Sequence, residues 1–302
     1  MKAKTKAWIE AIRLRTLPVS TAGVLAAWGV AIAYGCFRPL QGIICLVFAL
    51  LAQIASNFAN EYFDFRNGFD RKGREGFRRG VTEGDLTPRA MLRATLLTLG
   101  AACLVGLTLV IWGGWWLIGA GAVIALFALA YSAGPYPLSH HGLGDVAVIA
   151  FFGLVPVLLT LYVMSPDMAV RANGFELWRA GAAVGLGAGL MADCVLIVNN
   201  VRDEEDDRAV GKNTIAVLFG GETIKRLYLI FACGGVVLFT CFNLITAGPV
   251  WGWLSVVPGL FWLRPWVLLM VRKGAALNPV LGLTARTMLF NVGYLLLVAI
   301  FG

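Results

Sequence analysis

Two short stretches of the chain bring carboxylates and carboxamides together at helical spacing. The first reads Asn57-Phe-Ala-Asn60-Glu61-Tyr62-Phe63-Asp64, followed by Gly68 and Asp70. The second reads Asn199-Asn200-Val-Arg202-Asp203-Glu204-Glu205-Asp206-Asp207, followed by Gly211 and Lys212. Residues three, four and seven apart share one face of a helix. Asn57, Asn60 or Glu61, and Asp64 therefore form one polar stripe, and Asn199, Asp203 and Asp207 form another. Glu204, Glu205 and Asp206 fall off that stripe and read as a solvated face. Oxygen ligands of this kind select Mg²⁺ or Ca²⁺ over softer metals. Mg²⁺ takes a few carboxylates and lets substrate phosphate and water complete its octahedron. The candidate metal ligands are Asn60, Asp64, Asn199, Asp203 and Asp207. A diphosphate beside such a metal needs cations and amides for its outer oxygens. Lys212, Arg202, Arg71, Lys72, Arg78, Asn57 and Asn200 are the candidates, Arg as a planar fork and Lys as a point charge.

The elements that must hold these stripes are apolar. Of the 302 residues, 59% are hydrophobic and 14% charged, and the mean hydropathy is +0.78. A soluble domain carries about 25% charged residues. Nine stretches approach the ~20 apolar residues that a spanning helix needs. They are Leu17–Gly35, Leu40–Phe63, Ala90–Trp112, Trp115–Ser132, Leu143–Met164, Ala180–Asn200, Leu227–Ala247, Trp251–Met270 and Leu283–Phe301. Backbone polar groups in lipid must be paired internally, which points to helices. The alternating short segments of a membrane barrel are absent. The expectation is an all-α polytopic membrane protein, one domain over residues 1–302, with nine spans.

Charge supplies the orientation. With the N-terminus in the cytoplasm, 21 of the 25 Lys and Arg fall on that side. They sit in the N-terminal segment (Lys2, Lys4, Lys6, Arg13, Arg15), in the loops after the second and sixth spans, and just before the ninth span and at its start. Arg38, Arg171 and Arg179 fall on the other side, and Arg264 lies within the eighth span. This asymmetry places both acidic segments in the cytoplasm and the C-terminus outside. It also accounts for the net charge of +8 without nucleic acid. No cleavable signal is expected at the N-terminus, where the first apolar run is long and Pro18 interrupts its start. The six cysteines form no CxxC pair and read as packing residues, and a metal pair at His140 and His141 is not expected. Asp193, in the middle of the sixth span, reads either as a neutral hydrogen-bonded carboxyl or as a wall of an acceptor site.

With these motifs in view the chain resembles the UbiA superfamily of intramembrane aromatic prenyltransferases. It is most similar to the branch that prenylates 1,4-dihydroxy-2-naphthoate in menaquinone synthesis. The likeness rests on Arg13-Leu-Arg15-Thr16-Leu17-Pro18, on the two acidic segments, and on Tyr131-Ser132-Ala-Gly134-Pro135. Gly142-Leu143-Gly144-Asp145, Gly211-Lys212-Asn213-Thr214 and Asn278-Pro279 extend it. Position 61 is Glu where the superfamily often has Asp, so Glu61 is not placed among the ligands. The resemblance implies nine helices around a central cavity with cytoplasmic caps and a lateral opening to lipid, in a bacterial inner membrane. It further implies a polyprenyl diphosphate donor, Mg²⁺ as cofactor and an aromatic acceptor. Asp64, Asp203 and Asp207 would then be catalytic through the metal. Tyr131, with Tyr62 and Phe63, would offer an aromatic face to an allylic cation. With the naphthoate as acceptor the product is demethylmenaquinone, with loss of CO₂ and diphosphate. Other acceptors (4-hydroxybenzoate, homogentisate, haem or a lipid) fit the same motifs. A secondary transporter is the alternative of another class, since it too carries intramembrane polar groups. Its groups would gather at the midplane, whereas here they collect at one face.

Overall fold

A computed structural model describes residues 3–73, 76–165 and 174–302. Lys2, Arg74 and Arg171, counted above for topology, lie outside the described residues. Among the described residues the regular elements are helices, and one isolated backbone bridge joins His141 to Asn213. The helices that frame the site are α1 (Ala3–Ile12), α2 (Leu17–Ala33), α3 (Pro39–Arg66), α4 (Pro88–Thr108) and α5 (Trp116–Ala130). They continue as α6 (Gly144–Met164), α7 (Gly174–Arg202), α8 (Glu204–Ala209), α9 (Gly221–Leu254), α10 (Val256–Val271) and α11 (Asn278–Phe301).

Their boundaries follow from local chemistry. Proline stands in the first turn of α2, α3, α4 and α11, where its missing N–H would find no partner in any case. The Thr87 hydroxyl caps α4 by accepting from the Ala90 amide at 3.2 Å. Within α9, Gly248 takes φ 83° directly before Pro249 and breaks the rod there. The Pro249 nitrogen has no hydrogen to continue the ladder.

Among the described residues, seven helices are long and apolar enough to cross a membrane. The two remaining sequence expectations, Trp115–Ser132 and Trp251–Met270, fall mainly on the shorter apolar helices α5 and α10, the second starting five residues later than expected because α9 runs on to Leu254. The 15 residues of α5 extend about 22 Å at 1.5 Å per residue, less than the ~30 Å of a hydrocarbon core. Large side chains face outward along the bundle, such as Ile111, Trp115 and Ile245 at about 80% exposure. In lipid such surface carries no penalty, whereas water would penalise it.

Helix α7 is the axis of the bundle, with 72% of its apolar window buried, against 17% for the peripheral span that contains α4. Gly181, Gly185 and Gly189 line its face toward α6, which lets the two backbones approach. A Cβ placed on Gly153 of α6 would lie 2.3 Å from the Gly185 carbonyl oxygen of α7. One on Gly189 would lie 2.5 Å from the Ile149 carbonyl oxygen. Contact through small residues is how membrane helices pack without a hydrophobic drive between them. Along Ile149–Leu154 the α6 backbone widens into a π-turn. Phe151 and Phe152 lie in that turn and reach the cavity described next.

Candidate active site

A cavity of about 490 Å³ runs between α2, α3, α4, α5, α6 and α7. Most of its wall is apolar, and one end is polar, lined by Arg13, Asn60, Arg79, Asn199, Arg202, Asp203 and Lys212. The loops after α3, α5 and α7 meet at that end. The Asn213 amide donates to the His140 carbonyl at 3.0 Å. The Arg71 guanidinium donates to the Ala209 carbonyl at 3.2 Å.

The first acidic stripe is wired by its neighbours. Asn60 Nδ2 donates to Asp64 Oδ2 at 3.1 Å and to Ser132 Oγ at 2.9 Å. Asn60 Oδ1 accepts from Arg79 at 2.9 Å and also from Arg13. Arg79 stands 3.9 Å from Asp64 and 3.4 Å from Asp70, so one guanidinium spans both acids. Arg13 takes φ 56°, a left-handed conformation rare outside glycine, at the break between α1 and α2. Asp64 is buried, and its Oδ1 accepts no hydrogen bond while facing His140 Nε2 at 3.4 Å. Glu61 serves the loop instead of the cavity. Its carboxylate accepts the Val81 amide at 3.0 Å and pins the segment that presents Arg79. The amide of Asn57 is likewise occupied, donating to the Ile12 carbonyl and accepting from Gln53. It ties α1 to α3 at the cavity edge.

The second stripe does not lie on one continuous helix. Asp203 has φ −95° and ψ 7° and separates α7 from α8. The helical hydrogen bonds nevertheless run through the break. The Asp203 amide donates to the Asn199 carbonyl at 3.0 Å, and the Asp207 amide to the Asp203 carbonyl at 2.8 Å. The rotational register is kept: Asp203 and Asp207 are buried, Glu205 is exposed, and Glu204 pairs with Arg208 at 2.7 Å. Arg202 forks both oxygens of Asp203 at 2.7 and 2.8 Å. It also donates to Asn199 at 2.5 Å and to Asn278 at 2.9 Å. Its guanidinium lies over the Phe77 ring, 5.0 Å from the centroid. Lys212 Nζ stands 3.5 Å from Asp207.

Of the cations named from sequence, Arg202 and Lys212 line the cavity together with Asn57 and Asn200. Arg71, Lys72 and Arg78 are exposed and are not part of its wall; Arg78 pairs with Asp85 instead. Their places are taken by Arg13 and Arg79. Arg79 directly follows Arg78, and nothing in a linear Arg-Arg pair says which side chain turns inward. Tyr131 lines the cavity. Tyr62 and Phe63 do not: they meet edge to face with centroids 5.0 Å apart, and Tyr62 packs on the cluster around α1. Phe77 is the aromatic that joins Tyr131 at the polar end. His140, which linear spacing did not single out, is buried against Asp64 and Phe69.

The donor set decides how a divalent cation would fit. Among the described residues no three acidic, histidine or cysteine side chains gather into a metal cage. Asn60, Asn199 and Asp203 reach the cavity, while Asp64 stands behind Asn60 and Asp207 beside Lys212. Mg²⁺ usually needs only one or two carboxylates when phosphate and water fill its other positions. Asp64 Oδ1, buried beside His140 and accepting no hydrogen bond, is an acceptor of that kind. The residues fit an ion that enters with its phosphates.

Comparison with known proteins agrees with this layout. The profile of the UbiA prenyltransferase family matches residues 22–296. The chain is 34% identical over 267 residues to a 1,4-dihydroxy-2-naphthoate octaprenyltransferase of Escherichia coli (strain K12), covering 84% of this chain and 82% of that one. It is 32% identical over 281 residues to the protein of that name from Mycobacterium leprae (strain TN), covering 93% and 92%. Its fold resembles a UbiA homolog from Archaeoglobus fulgidus, solved bound to GPP and Mg²⁺, with TM-score 0.65, 16% identity and coverage of 97% and 99%. The two acidic motifs, the cavity between them and the match over most of its length make this chain a member of the UbiA prenyltransferase family.

Proposed function

We propose that this chain transfers a polyprenyl group from its diphosphate to 1,4-dihydroxy-2-naphthoate, giving demethylmenaquinone with release of CO₂ and diphosphate. The observation that carries the reading is the polarity of the cavity. Arg13, Arg79, Arg202 and Lys212 crowd one end with the amides of Asn60, Asn199 and Asn200, and most of the remaining wall is apolar. A prenyl diphosphate has that same division. Its diphosphate would lie against the four cations, and its tail along the greasy wall. The similarity to dihydroxynaphthoate octaprenyltransferases over most of the chain supports the acceptor.

Asp64, Asp203 and Asp207, helped by Asn60 and Asn199, would hold Mg²⁺, which when bound supplies positive charge to the leaving diphosphate. The chain's own residues do the rest. Arg79 and Arg202 are already fixed by their carboxylate partners. They are preorganised for the charge that builds as the C1–O bond breaks, without reorganisation at that moment. Tyr131 and Phe77 offer ring faces to the allylic cation, worth ~0.5–2 kcal/mol. The apolar wall keeps water from that cation until the acceptor ring attacks. We read residues 1–302 as one prenyltransferase domain in a bacterial inner membrane. The shorter α5 and α10 complete nine crossings, with the polar end cytoplasmic and the C-terminus outside.

Purified protein with Mg²⁺, radiolabelled prenyl diphosphate and a panel of acceptors tests this. The expected product has the mass of a prenylated naphthoquinol lacking the carboxyl. Turnover confined to another acceptor would replace the naphthoate assignment.

A further inference from the structure

One corner of the cavity carries carboxyl groups that prenyl transfer as described leaves unused. Asp145 is the second residue of α6 and lines the cavity at 8% exposure. Asp193 of α7 is fully buried, and the two carboxyl groups face one another. Among the described residues no Lys or Arg forms an ion pair with either. Asp145 Oδ1 and both oxygens of Asp193 are buried without a hydrogen-bond donor. A single proton held between the pair would still leave at least one of these three oxygens unpaired. A buried polar atom without a partner costs ~1–3 kcal/mol. An ionisable pair inside a membrane bundle is retained for a function.

The surroundings narrow what the missing donor is. The Tyr131 phenol stands at the same corner, 3.5 Å from where a Cβ on Gly144 would lie. Phe151 and Phe152 supply aromatic wall nearby. An anionic group would be repelled by two carboxyls and would turn to the arginines at the polar end. An ammonium group would meet an apolar cavity on its way in. A neutral hydroxyl on an aromatic ring meets both conditions: it donates a hydrogen bond, and its ring packs on the wall.

We propose that Asp145 is the docking group for a phenolic hydroxyl of the acceptor, with Asp193 as the positioning residue that fixes its carboxyl. The acceptor ring is then held between this corner and the cationic end, its hydroxyl toward Asp145 and any carboxylate toward the arginines. The inference rests on the prenyl-transfer reading but not on naphthoate as the acceptor.

The test uses acceptor pairs that differ in one hydroxyl: the free phenol and its methyl ether. A site built to hydrogen-bond a hydroxyl rejects the analogue lacking it, so kcat/KM in the parent should favour the free form by about 30-fold or more. In Asp145→Ala that preference should collapse to within about threefold, with KM for prenyl diphosphate within about twofold of the parent. In Asp193→Asn the preference should fall about 5- to 10-fold at similar donor KM, a change that a purely structural role would not make. If Asp145→Ala has no turnover, quenching of tryptophan fluorescence by the two acceptors gives the same ratio as binding constants. A hydroxyl preference unchanged in Asp145→Ala, by rate or by binding, overturns the proposal. The ratio is measured on whichever hydroxylated aromatic the parent prenylates. A wrong naphthoate assignment therefore shows in the parent alone and leaves this comparison standing.

Discussion

Asp64, Asp203 and Glu205 lie within two short segments yet stand in different surroundings. Asp64 and Asp203 are buried among cations and amides, whereas Glu205 faces outward. Asp64→Asn and Asp203→Asn keep the side-chain shape and remove the charge. Each is expected to lower turnover by about 100-fold or more, a barrier increase of ~2.7 kcal/mol, in initial rates at saturating donor and acceptor. Glu205→Gln should stay within about threefold, or ~0.6 kcal/mol. A Glu205 variant as slow as the Asp203 variant would mean that the wrong face of α8 has been assigned to the diphosphate. Arg79 offers a second contrast at this scale. Arg79→Lys keeps the charge but loses the fork that joins Asn60, Asp64 and Asp70, so KM for the donor should rise about 10-fold or more. Arg78→Lys, altering a guanidinium paired with Asp85 outside the cavity, should leave it within about twofold.

Helices α6 and α7 are held at a distance that only glycine permits. A methyl on Gly189 would meet the Ile149 backbone at 2.5 and 3.0 Å, and backbone cannot swing aside as a flexible side chain can. Gly189→Ala is expected to destabilise the protein by ~1–3 kcal/mol through overpacking, read as a lower midpoint in thermal unfolding in detergent. Because Asp145, Phe151 and Phe152 ride on α6, the same change should also raise the acceptor KM. Gly100→Ala, on the periphery where an added Cβ meets nothing within 4 Å, is the control and should unfold like the parent.

The whole molecule joins two acidic motifs 139 residues apart (Asp64 and Asp203) into one polar end, and it does so through loops. Arg71 reaching Ala209, Asn213 reaching His140 and Arg202 reaching Asn278 all cross between segments distant in sequence. That end should require a divalent cation. Chelation should abolish transfer, and Mg²⁺ should restore it in the parent but little in Asp207→Asn, where a ligand charge is gone. Single cysteines placed at Gly76 and Glu205 in a background lacking the native cysteines should label from the same side of the membrane. Labelling from opposite sides would break the shared polar end.

Helical class, membrane residence and the two acidic motifs follow from the sequence alone, because apolar length and helical spacing are local properties. The buried side of Asp203 and Asp207 was also legible. The break at Asp203 keeps the four-residue hydrogen bonds, and with them the face that linear spacing assigns. The inward-facing arginines were not legible. Arg78 and Arg79 differ only in where a loop pinned by Glu61 happens to turn. Nor could spacing separate Glu61, committed to the Val81 amide, from Asn60, which faces the cavity. Asp193 was visible as an isolated mid-span carboxyl, but its meaning depended on Asp145, 48 positions away. Only the close approach of α6 to α7, set by glycine against glycine, puts those two carboxyl groups together. Sequence carries the periodicity of a single helix; the pairing of groups on different helices is decided by how closely their backbones can pack.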